Sequence, residues 1–137
     1  MQDGAKASLY RIFYYDCPPL TGNVYHPLLQ KAICMEKSDT YSWSKDFYAA
    51  LANKRKVALR MGELQEGESG FRIKSKPIKR LLRGEMAVGD LKQSDFELDV
   101  VQKGVDMRIG LDISLMALKK QVTQIVLIAG DSAFVPA

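Results

Sequence analysis

Histidine and tryptophan each occur once, and cysteine twice, in the 137 residues of this chain. Two cysteines, Cys17 and Cys34, are too few for a disulfide framework and lack the paired spacing of a zinc site. They read as ordinary reduced thiols. The lone histidine, His26, lies between Tyr25 and Pro27. Histidine-based nucleophilic catalysis therefore has little to draw on, and a packed or solvent-facing ring is the commoner role for such a residue. No apolar run approaches the ~18 residues that suggest a membrane span. The opening residues, MQDGAKAS, hold no apolar signal-peptide core. Together these absences lead to the expectation of a cytoplasmic protein with no membrane partner.

What is present fits a folded chain. Hydrophobic residues make up 47%, close to the globular average, and the length suits one domain with a modest core. Charge is distributed unevenly. Residues 54–83 carry ten basic side chains against three acidic ones, or +7, while the whole chain carries only +4, so the remainder is net acidic. A basic zone beside acidic residues suits a phosphate-rich polymer, and it equally suits a solvated exposed face.

Leu9 to Tyr15, LYRIFYY, is rich in aromatic residues and reads as a strand that stops at Asp16-Cys17-Pro18-Pro19. Asp16 then lies just past a strand's C-terminal end, where open α/β sheets place ligands, although capping the Pro-Pro turn is an equal role. Residues 20–40 read as loop. Ser38 or Asp39 is positioned to cap a helix from about 41 to 54. Residues 56–64 and 71–76 each read as strands around the turn at Glu66–Gly70, so 56–76 is expected to form a hairpin. Pro77 suits the first turn of a short helix ending before Gly84, and Phe96–Val101 reads as another strand.

The stretch 103–134, KGVDMRIGLDISLMALKKQVTQIVLIAGDSAF, concentrates the chemistry. A helix is expected from Gly104 to about Gln121. Val105, Ile109, Asp112 and Met116 fall at spacings that share one helix face, so Asp112 sits where a core disfavours charge. A carboxylate placed there is paired, protonated or bound to a cation. Gln124–Ala129, QIVLIA, reads as a strand buried on both faces of a parallel sheet. Asp131 follows at the turn. Asp106, Asp112 and Asp131 converging at one end of a sheet would make a metal site. A structural alternative gives each acid a local role: Asp106 and Asp131 as helix caps, and Asp112 paired with Arg108 or a neighbouring lysine.

This last block resembles the NYN domain, the LabA-like branch of the PIN-like nuclease superfamily. The resemblance is carried by a K-x-V-D helix start, an aspartate six residues later, an apolar strand and a G-D-S-x-F turn, and LYRIFYYDCPP is similar to the family's second core strand. It implies an α/β fold: a three-layer, Rossmann-like (PIN-like) arrangement with a mostly parallel central sheet and an inserted β-hairpin. It implies a single domain over residues 1–137 that is incomplete at both ends. The implied function is metal-dependent ribonuclease-type cleavage of RNA phosphodiester bonds, with Asp106, Asp112 and Asp131 as catalytic and metal-binding residues for Mg²⁺ or Mn²⁺. Lys103, Ser132, Asp16, Lys54, Arg55 and Lys56 are the expected substrate contacts. RNA is the expected partner, and because PIN-like domains often pair, a homodimer is a further one.

The sequence departs from the family pattern in two places. Position 133 is Ala where the motif usually has Asp, and nothing apolar precedes Leu9 where the family's first strand ends in an aspartate. These departures motivate the alternative expectation of a catalytically weakened NYN-like module that binds RNA or a protein partner.

Overall fold

The aromatic run before the Pro-Pro turn forms a five-residue strand, β1 (Ile12–Asp16), in a computed structural model that describes residues 6–130, with only the backbone described at 68 and 69. β1 pairs in parallel with β4 (Val57–Met61), Ile12 opposite Val57 and Asp16 opposite Met61. Between them lie an antiparallel hairpin of β2 (Asn23–His26) and β3 (Lys31–Cys34), and helix α1 (Asp39–Ala52). Ser38 caps α1 by accepting from the Tyr41 N–H at 3.1 Å, which satisfies one of the amides a helix start leaves unpaired.

Side chains along a strand alternate between its faces, and β1 uses both. Tyr14 meets Phe47 of α1 edge-on at 5.7 Å. Phe13 and Tyr15 point the other way, toward α3 (Val105–Leu118), where Tyr15 reaches Asp112. Ile109 and Met116 are the buried residues of α3, so the face shared by Ile109, Asp112 and Met116 is the one turned inward.

A long strand, β5 (Glu63–Ile73), pairs antiparallel with β6 (Phe96–Lys103), with a shift in register between Glu66 and Phe71. Helix α2 (Ser75–Leu82) and two single-turn helices, Val88–Asp90 and Gln93–Asp95, connect these strands. The β2–β3 hairpin docks on this pair. His26 is 1% exposed and sits between the rings of Phe71 and Phe96, at 4.6 and 5.0 Å, while its Nδ1 accepts from the Leu29 N–H at 3.4 Å. It is a packed residue.

Gly62 is the joint between the two regions. Its N–H donates to the Asp16 carbonyl at 2.7 Å, and a Cβ at this position would lie 2.6 Å from the Lys103 carbonyl oxygen. Only glycine lets β4 turn into β5 with β6 so close.

Several expectations are corrected. The described residues contain no central, mostly parallel sheet of Rossmann or PIN-like type; they form three two-stranded sheets, one parallel and two antiparallel. Residues 56–76 do not form an inserted hairpin, because β4 and β5 join different sheets. The glycines of Glu66–Gly70 make a bulge within β5, with Gly70 at a φ of 63°, instead of reversing the chain. The stretch 20–40, read as loop, holds the β2–β3 hairpin. The expected buried strand at Gln124–Ala129 is absent: these residues pair with no strand, and Ile128 is 94% exposed. An apolar run signals demand for a neighbour, and no described strand edge meets that demand.

Candidate functional site

The expected acids separate into two nodes on opposite faces of β1. On the α3 face, Asp112 accepts from the Tyr15 hydroxyl at 2.8 Å and, side-on, from one edge of the Arg60 guanidinium, Nη2 to Oδ1 at 3.0 Å and Nε to Oδ2 at 3.0 Å. The Asp112 side chain is 13% exposed, so a two-pronged guanidinium pair is the arrangement that keeps its charge there. Arg60 also lies over the Phe13 ring, 5.5 Å from its centroid. Burial, reinforced by the bond to Asp112, pushes the Tyr15 hydroxyl pKa well above its ordinary value.

On the α1 face, Asp16 accepts from the Tyr48 hydroxyl at 2.9 Å, the Tyr14 hydroxyl at 3.3 Å and its neighbour's amide, Cys17 N–H, at 2.8 Å. Burial and then the Asp16 carboxylate raise the Tyr48 pKa strongly, and burial raises Tyr14 as well. The Cys17 thiol is raised too, chiefly by burial, which leaves it a poor nucleophile.

Asp106 is exposed in the first turn of α3. Six residues separate it from Asp112, which is roughly 9 Å of rise and two-thirds of a rotation along a helix, so the two carboxylates leave on different faces. Asp131 and Ser132 lie outside the described residues. Among the described residues, no group of three or more His, Cys, Asp or Glu side chains is placed to hold a metal ion. Asp112 does not fit a divalent cation as it stands, because Arg60 already covers both of its oxygens. A cation would have to displace a guanidinium.

The expected substrate contacts also scatter. Lys103 ends β6, exposed, opposite Glu63 in the ladder. Lys54, Arg55 and Lys56 form the exposed turn from α1 into β4, where the Lys56 ammonium donates to the Leu9 carbonyl.

A different set of cations lies together. Lys74, Lys76 and Arg80, with Pro77 and Asp95, line a groove of about 270 Å³ beside α2. A second depression of about 560 Å³ adjoins it, shares Arg80 and Asp95, and adds Lys92 together with Glu85 and Asp90. Two of the acids here bond to backbone, Asp95 accepting from the Lys92 N–H and Asp90 from the Ala87 N–H, each at 2.9 Å, and exposed Glu85 lies 3.8 Å from Arg83. Lys76, Lys79 and Arg80 make no ion pair among the described residues.

Sequence reading missed Arg60, Tyr15 and Tyr48 as the partners of the acids. Arg60 had a legible signal, being the one charged residue in the otherwise apolar VALRM. The aromatic alternation of β1 was a second signal, since it assigns Tyr14 and Asp16 to one face and Phe13 and Tyr15 to the other.

No helix among the described residues is long and apolar enough to cross a membrane. Comparison of the chain with protein-family models, with curated proteins and with solved structures returns no match.

Proposed function

We propose that the chain is an RNA-binding module whose contacts are electrostatic, made by the basic zone at residues 54–83. The observation that carries this reading is the contrast in partners. Asp112 and Asp16 are engaged by protein donors, whereas the α2 cations Lys76, Lys79 and Arg80 are exposed without ion pairs among the described residues. Unpaired cations on one face give a nucleic-acid footprint, because each phosphate they neutralise releases condensed counterions. The resemblance to NYN domains supplies RNA as the polymer. A titration of fluorescently labelled single-stranded RNA, followed by anisotropy at falling salt, tests the reading. Binding that strengthens linearly in log salt is expected, and no binding at low salt would overturn it.

Cleavage is the second reading, favoured by the G-D-S-x-F sequence motif with its Asp131. It requires Asp131 and Asp106 to hold Mg²⁺ or Mn²⁺ without Asp112, or Arg60 to leave Asp112. Mn²⁺-dependent cleavage of RNA that disappears in Asp131→Ala would establish it; equal cleavage by both forms would remove Asp131 from the site.

A further inference from the structure

The groove beside α2 has the features of a built phosphate seat. Lys76 and Arg80 are four residues apart and therefore share a helix face. Lys74 is held on the adjoining wall: its Nζ donates to the Ser94 carbonyl at 2.7 Å and its N–H to the Asp95 carbonyl at 2.8 Å. An ammonium has three donors, so that single bond fixes Lys74 and leaves two N–H groups for a ligand. Pro77, buried between Lys76 and Arg80 in sequence, pre-sets the first helical turn from which both cations project. The one acid in the lining, Asp95, has an oxygen committed to the Lys92 amide. The second depression, beyond Arg80, adds Lys92 but also Glu85 and Asp90, so the concentration of positive charge is confined to the first groove.

Neither depression is lined by an aromatic side chain. Single-strand binders that hold bases do so by stacking them on aromatic rings. A site with cations and no ring reads backbone alone. The exposed apolar residues of α2, Ile78 and Leu82, lie about half a turn away from Lys76 and Arg80, so the helix face that carries these cations does not carry the apolar residues that would insert into lipid.

Resting on the RNA-binding reading above, we infer that the groove formed by Lys74, Lys76, Arg80 and the Gln93–Asp95 turn seats backbone phosphates of RNA, without regard to base sequence. The test compares the full chain with Lys76→Gln/Arg80→Gln and with Lys54→Gln/Arg55→Gln. Anisotropy is measured on labelled oligouridylate and oligoadenylate over a salt series, beside vesicles containing phosphatidylglycerol. All four positions are exposed, so thermal melts should coincide and an affinity change reports contacts. The expected result is equal affinity for the two RNAs, an approximately tenfold loss in the α2 variant, and a salt slope shallower by about 1.4, the value for two lost phosphate contacts on a single strand. If the α2 variant keeps both affinity and slope while the Lys54/Arg55 variant loses them, the groove is not the seat, though the RNA reading stands. Base preference greater than tenfold overturns backbone-only recognition. No RNA binding by the unmodified chain overturns both inferences, and vesicle binding in its place assigns the cations to an anionic membrane.

Discussion

The parallel pair β1–β4 and the α2 arm of the β5–β6 sheet are both rich in charge, yet they dispose of it in opposite ways. Around β1, every candidate acid has a protein partner, and the partners are held by packed elements: Arg60 from β4, Tyr15 from β1, Tyr48 from α1. Around α2, Asp90 and Asp95 bond to backbone amides, and Lys74, Lys76 and Arg80 line an open groove. The difference teaches that a charged residue's role is set by what neutralises it. Charge already neutralised internally supports the fold, and charge left open is available to a ligand.

The comparison can be broken most severely at the joint. Gly62→Ala forces a methyl onto the Lys103 carbonyl, with the Val105 and Cys17 side chains crowding it as well, and should cost about 2–3 kcal/mol by urea denaturation, at the upper end for overpacking. Docking of the two regions would loosen with it. Next in size is Asp112→Ala. It leaves Arg60 and Tyr15 without their acceptor in a largely covered site, and a loss of about 2 kcal/mol is expected. Lys76→Gln, by contrast, should change stability by less than ~0.5 kcal/mol, as exposed charges without partners do. Equal destabilisation by these two variants would erase the distinction between the regions.

Ser38→Ala removes the α1 cap and should cost about 1 kcal/mol. The smallest effect appears only in alkali. Tyr15 and Tyr48 hold their protons more tightly folded than unfolded. The unfolded chain therefore releases protons first as pH rises past about 10, and stability falls above that point while being fully present below it. Tyr15→Phe should flatten part of that decline in a series of melting curves against pH. An unchanged alkaline decline would mean that the Tyr15–Asp112 bond does not persist.

Local elements were legible where one short stretch of sequence decides them. Ser38 marked the start of α1, Pro77 lay in the first turn of α2, and the spacing of Ile109, Asp112 and Met116 gave the buried face of α3. The sheets were not legible, because pairing is a property of two stretches. The run 56–76 looked like a hairpin from its turn residues, but Gly70 makes a bulge and β5's partner, β6, arrives only after α2. QIVLIA read as a buried strand because its composition suits one, and composition carries no information about whether an edge is present to receive it. At the candidate site, the unusual position of Asp112 was visible and its partner was not. Arg60 lies 52 residues away, beyond any local periodicity.

One measurement weighs the two regions directly: RNA affinity across a salt series for Asp112→Asn and for Lys76→Gln/Arg80→Gln, each at a temperature where circular dichroism shows it folded. The expected result is an unchanged salt slope for Asp112→Asn and a clearly shallower one for the α2 variant. Loss of RNA binding in Asp112→Asn with an unaffected α2 variant would contradict it, and would return the acidic face of β1 to the centre of the protein's function.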